Sequence, residues 1–114
     1  MSTAEKDIRT VTAQYCAVYP QAKQKVTLSV HADGNITLFI GSPDIAGSAH
    51  AQGEGKTLDE AAAALKAHLA RRLEAVKAKD VDDLNKAVAF RTKFHSNIDA
   101  ALATLTTPEA PAPE

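Results

Sequence analysis

The sequence predicts an α+β fold: an antiparallel β-hairpin or three-stranded sheet packed on a helix, preceded by an N-terminal helix and followed by a long C-terminal helix. Three observations carry this. Apolar residues alternate at Val26, Leu28 and Val30 and again at Ile36, Leu38 and Ile40, with Asp33 and Gly34 between the runs. Thr57 followed by Glu60 is a helix-capping pair. Behind it Leu58, Ala62, Leu65, Leu69, Leu73 and Val76 recur at helical spacing. A hairpin laid on a helix buries both apolar faces together.

In chain order, Ser2 with Glu5 fits a capping box, and Ile8, Val11, Tyr15 and Val18 share one helical stripe. Alternation of Val11, Ala13, Tyr15, Ala17 and Tyr19 offers a strand as the competing reading of residues 3–19. The helix is preferred, ending before Pro20, because a residue preceding proline avoids the helical region. Residues 25–32 and 35–41 read as two strands. Asp33-Gly34 marks the hairpin, since primed turns need the positive φ that glycine tolerates. Val26, Leu28, Val30, Ile36, Leu38 and Ile40 then share one face, and Phe39 falls on the other, mostly polar face.

Residues 42–56 are rich in glycine and small side chains. Pro43 ends the second strand, residues 48–52 form a short edge strand or part of a loop, and Gly53 and Gly55 allow the reversal into the helix. That helix is expected to run to about Lys79. Asp80, Asp82 and Asp83 resemble a fresh cap and acidic first turn, so a kink and an unbroken helix both fit. Over residues 81–106, Leu84, Val88, Ile98, Leu102 and Leu105 lie near one stripe, flanked by Phe90 and Phe94 and interrupted by Arg91 and His95. Such a stripe calls for the preceding helix or a second copy as its cover. The organisation expected is one domain, 1–106, with its sheet-and-helix core at 25–79, and a proline-rich disordered tail at 107–114.

Composition excludes several classes. The chain has 114 residues, 45% of them apolar but only three Phe and two Tyr, so the core is thin and aliphatic and a homodimer that shares burial is expected. The net charge of -1 argues against nucleic-acid or membrane binding by charge alone. One cysteine, Cys16, builds neither a disulfide framework nor a thiolate zinc site and suggests a reducing, cytoplasmic setting. The first residues carry no apolar run, so no secretory signal is expected, and no run approaches membrane-spanning length.

No catalytic constellation stands out, and neither an enzymatic role nor a cofactor is expected. His31, His50, His68 and His95 lack metal-ligand spacing. The acids at 80, 82 and 83 lack the alternating oxygens and central glycine of a calcium loop. Gly53, Gly55, Lys56 and Thr57 fail the full phosphate-loop spacing. Basic residues outnumber acids across the helical half. Lys66, Arg71, Arg72 and Lys77 are therefore candidates for a nucleic-acid contact, against the plainer reading of a solvated face.

The order of hairpin, then Ser42, Pro43, Asp44, Ile45, Ala46, Gly47 and Ser48, then Gly55, Thr57, Leu58, Asp59, Glu60 and Ala61 on a helix resembles the HicB-like antitoxin family. Members of that family typically show a strand ending in Pro-Asp-Leu-Pro-Gly-Cys, a short strand, and Gly-Asp-Thr-Leu-Glu-Glu-Ala opening a helix. Ala46 stands where the family has its second proline and Ser48 where cysteine is common. The resemblance covers roughly residues 25–69. It implies a partial RNase H-like fold without that enzyme's metal-binding carboxylates, and a role in binding and blocking a HicA-like ribonuclease toxin or another enzyme. The family often represses its own operon through a C-terminal DNA-binding module, for which no counterpart is visible here. With this resemblance, Phe39, Asp44, Ile45 and His50 become the candidate partner-binding residues. The alternatives are a nucleic-acid-binding protein using the basic helices, and a phage or mobile-element accessory protein that oligomerises through its last helix.

Overall fold

A computed structural model describes residues 2–45 and 47–108. The elements run α1 (Thr3–Val18), β1 (Thr27–Val30), β2 (Ile36–Gly41), β3 (His50–Gly55) and α2 (Leu58–Thr106). The sheet is antiparallel with strand order β1-β2-β3. The α+β class, with a third strand and an N-terminal helix, is therefore what the sequence predicts. Two compact units divide the chain, Met1–Ala78 and Lys79–Glu114. The expected proline-rich tail lies, from residue 109 onward, outside the described residues.

In the first unit, α1 starts where the capping signal stands: the Ser2 hydroxyl accepts the Glu5 N–H at 3.2 Å. A second cap comes from far along the chain, where the Asp59 carboxylate accepts the Ala4 N–H at 3.0 Å. Lys66 reaches Asp7 at 3.4 Å one to two turns later. These contacts advance in the same order along both helices, so α1 and the start of α2 lie side by side and run in the same direction. Both helices cover one sheet face. Tyr15, Leu38, Ile40, Leu65 and Val11 are fully buried between these layers, with Ala51, Ala61 and Ala62 filling the remaining space. Each such large apolar side chain contributes about 1.5–3 kcal/mol by leaving water.

The hairpin departs from a two-residue primed turn. His31 N–H donates to Asn35 O at 2.8 Å and Gly34 N–H to His31 O at 2.9 Å, so the loop is Ala32, Asp33 and Gly34. Only Gly34 has positive φ, at 90°. This is the three-residue loop with a glycine bulge, in which one residue rather than two must be left-handed. The Asp33 carboxylate steadies it by accepting the Asn35 N–H at 3.0 Å.

Gly53 and Gly55 serve a different purpose from the expected reversal. They lie inside β3, which is six residues long and extends past the predicted strand end. A Cβ at Gly53 would sit 2.1 Å from Leu65 N and 2.3 Å from Ala61 O, and one at Gly55 would sit 2.5 Å from Glu60 Cβ. The glycines let the α2 backbone rest directly on the strand. Thr57 then caps α2, its hydroxyl accepting the Glu60 N–H at 3.2 Å while the Glu60 carboxylate accepts the Lys56 N–H at 3.0 Å.

β1 also differs from expectation. Leu28 and Val30 stand opposite Leu38 and Ile36 on the helix-side face, yet they are 50% and 66% exposed. The two helices cover β2 and β3 and leave β1 bare.

The second unit is helical. No break marks Asp80, so the acids there are interior to α2 rather than a new cap. Asp83 and Asp82 bind Lys79 and Lys86 one turn away, at 2.9 and 3.0 Å. The hydrogen bond and negative charge of Asp83 hold the Lys79 ammonium above its ordinary pKa. Every described residue of this unit is exposed, including Val81, Leu84, Val88, Ile98, Leu102 and Leu105.

Candidate partner-binding site

The passage that leaves β2 is a tight double turn. Ile45 N–H donates to Ser42 O at 3.1 Å, and Ser48 N–H to Ile45 O at 3.2 Å. The Ser48 hydroxyl returns to Ser42 O at 2.7 Å. Gly47, with φ of 75°, takes the left-handed position that a side chain would strain. Tyr15 of α1 and Tyr19, which caps the end of that helix, then fix the next residue. The Tyr15 hydroxyl donates to Ala49 O at 2.8 Å, and the Tyr19 hydroxyl accepts the Ala49 N–H at 2.7 Å. Both backbone groups of Ala49 are thereby satisfied by side chains, and their rings pack at 4.9 Å.

This scaffold presents the candidate residues in two places. Phe39, Ile45 and His50 line one concavity of about 370 Å³, together with Pro43 and Ser48. Asp44 lines a second cleft of about 260 Å³ beside Gln21, Lys23 and Gln24. Phe39 lies on the outer, polar sheet face, 39% exposed, in register with Thr27 and Gln52. Its ring lies 6.3 Å from that of His50. Gly41 makes room for the aromatic ring, since a Cβ there would come within 2.8 Å of Phe39 Cζ. Ser42, only 4% exposed, lines both hollows. Its Oγ has no hydrogen-bond partner among the described residues. The atom lies beneath the surface of both hollows, a polar group left without a partner inside the loop. Together the lining offers an aromatic face, an aliphatic wall and an imidazole, a set suited to hold an apolar side chain.

The two sheet edges differ. Because His31 and Asn35 exchange a hydrogen bond and antiparallel pairs alternate, the N–H and C=O groups of Leu28 and Val30 point away from β2. That edge is open. On β3, His68 Nδ1 lies 3.0 Å from both the Gln52 N–H and the Gln52 carbonyl, accepting from the first or donating to the second according to its tautomer, so a side chain of α2 blocks the opposite edge at Gln52.

The basic candidates do not share one face. At about 100° per residue, Lys66 and Lys77 fall on one side of α2 while Arg71 and Arg72 point away from them and from each other. Lys66 is engaged with Asp7. Arg72 is partly buried, with Nε lacking a hydrogen-bond partner among the described residues. Among the described residues no three His, Cys, Asp or Glu side chains gather as a metal site. His31 instead bonds Thr37 Oγ1 at 2.6 Å, and Cys16 lies 3.8 Å from Gln24 O.

The Tyr15–Ala49–Tyr19 clamp, the His68 contact with β3 and the close approach at Gly53 have no counterpart among the sequence expectations. A signal for the first was present: tyrosines four residues apart lie on one side of a helix, and both end in groups that seek partners when buried.

Compared with models of protein families, with curated proteins and with solved structures, the chain matches none. No helix among the described residues is long and apolar enough to cross a membrane.

Proposed function

We propose that the chain is a non-enzymatic, cytoplasmic protein-binding module of the HicB-like kind, which masks a macromolecular partner such as a HicA-like ribonuclease. The observation that carries this reading is Phe39. A large aromatic ring stands out on an otherwise polar sheet face, beside a concavity walled by Pro43 and Ile45. Exposed aromatics in shallow apolar hollows are the usual anchors of protein interfaces. The loop that builds the hollow is braced by the tyrosine clamp, so little ordering cost accompanies binding. The bare β1 edge, with outward N–H and C=O groups at Leu28 and Val30, offers a second contact by strand addition.

Affinity capture on the full chain, read by mass spectrometry, tests this. The expected result is a stoichiometric protein partner that is lost with Phe39→Ala and Ile45→Ala, and weakened with Asp44→Ala. No protein partner with the unaltered chain, or a partner indifferent to these substitutions, overturns the reading. Salt-sensitive recovery of nucleic acid, abolished by Arg71→Ala with Arg72→Ala, would displace it in favour of the basic helix.

A further inference from the structure

The exposed residues of the second unit follow an unbroken three–four spacing: Val81, Leu84, Val88, Arg91, His95, Ile98, Leu102 and Leu105. Over this stretch they occupy alternating a and d positions of successive heptads, the pattern of a helix that pairs with another helix. Both ion pairs of the unit, Lys79 with Asp83 and Lys86 with Asp82, lie on its outward positions and leave the seam clear of them. Ala87, Phe94 and Ala101 fill the flanking g positions, widening the apolar band on one side.

The band is also complementary to its own reverse. Turned about a two-fold axis at Lys93, Val81 meets Leu105, Leu84 meets Leu102 and Val88 meets Ile98 of a second copy. The two polar seam residues, Arg91 and His95, then meet each other. Side by side in the same direction, two copies would instead stack Arg91 on Arg91, placing two guanidinium charges against each other in an apolar seam. Reversed, each guanidinium lies against an imidazole and beside Phe94, a face on which arginine stacks well. Antiparallel pairing also sets the two helix dipoles in opposition. The six apolar seam residues are 39–79% exposed, so pairing removes a continuous apolar stripe from water.

We infer that residues 81–105 dimerise with a second copy of this chain as an antiparallel helical pair centred on Lys93. This pairing uses none of the residues of the partner site on the sheet, so either can fail without the other.

Sedimentation of the full chain across a concentration series, combined with cross-linking, tests it. A dimer is expected whose dissociation constant rises at least ~100-fold with Leu84→Asp plus Leu102→Asp. Those residues are exposed in the isolated chain, so the near-ultraviolet tyrosine signal of the first unit should persist in the variant. In a Cys16→Ser background, Val88→Cys chains mixed with tagged Ile98→Cys chains should be joined by a short thiol cross-linker, while Val88→Cys alone should not. A monomer at several hundred micromolar overturns the inference. So does a dimer that survives the paired Asp substitutions, a larger assembly, or efficient linking of Val88→Cys to itself. Capture of a different protein on this helix in place of a second copy overturns it equally.

Discussion

Gly53→Ala is the substitution that most directly probes how the first unit is built. The added methyl would begin 2.1 Å from Leu65 N, 2.3 Å from Ala61 O and 2.7 Å from Leu65 Cα. All three are backbone atoms, so no side chain can swing aside. Reaching an ordinary contact of about 3.5 Å requires the helix to retreat by more than about 1 Å. Ala61, Ala62 and Leu65, all buried against the sheet, lose packing in that retreat. Overpacking costs about 1–3 kcal/mol where side chains yield, and a helix backbone held at two ends belongs at the upper limit, about 3 kcal/mol. For a unit of this size that lowers Tm by roughly 12–24 °C. Thermal unfolding followed by the near-ultraviolet signal of the buried tyrosines isolates the first unit from the exposed helix beyond it. Gly34→Ala supplies the contrast, because its Cβ meets nothing within 4 Å and only the φ of 90° is strained. Its cost should be about 1 kcal/mol. If Gly53→Ala unfolds within 2 °C of the unaltered protein, the close helix-on-strand contact is not what holds these layers together.

Tyr15→Phe leaves the Ala49 carbonyl without its donor and should cost about 1–3 kcal/mol, while Tyr19→Phe should speed hydrogen exchange at the Ala49 amide by NMR. Asp59→Ala removes the long-range cap of α1 and should cost about 1 kcal/mol in urea unfolding, with little change in the helix content of the second unit. Phe39→Ala should cost about 1 kcal/mol, because the ring is 39% exposed and otherwise rests over Gly41 beside His50, yet abolish partner capture. His68→Ala uncovers the Gln52 N–H and should raise exchange there while leaving Tm nearly unchanged.

The architecture was legible wherever the signal is local. Alternation in β1 and β2, the Ser2 and Thr57 caps and the helical stripe from Leu58 each depend on residues within a few positions of one another, and each element stands where they point. Coverage is a different matter. Nothing in the alternation of Val26, Leu28 and Val30 says whether a helix will lie above them, and here the two helices sit over β2 and β3. Gly53 and Gly55 show the same limit: a glycine pair before a helix looks identical whether it bends the chain or admits a backbone, and only the partner 2.1 Å away decides.

The candidate site was legible in its loop and obscure in its support. Phe39 is conspicuous as an aromatic on the wrong side of an alternating strand, and the turn residues around Pro43 announce a loop. What makes that loop a fixed surface is Ala49, which carries no chemistry and attracts no notice in a sequence. Its N–H and C=O are held by hydroxyls from 30 and 34 residues away. A binding loop held only by its own turns would have to be ordered afresh by each partner, at a cost of about 1–2 kcal/mol per residue fixed. By clamping Ala49 from α1, the fold meets that cost when the core forms, where the burial of Tyr15 offsets it. The stability of the helical layer and the readiness of the Phe39 surface are therefore one property, and substitutions at Tyr15 or Tyr19 should weaken partner capture without touching a contact residue.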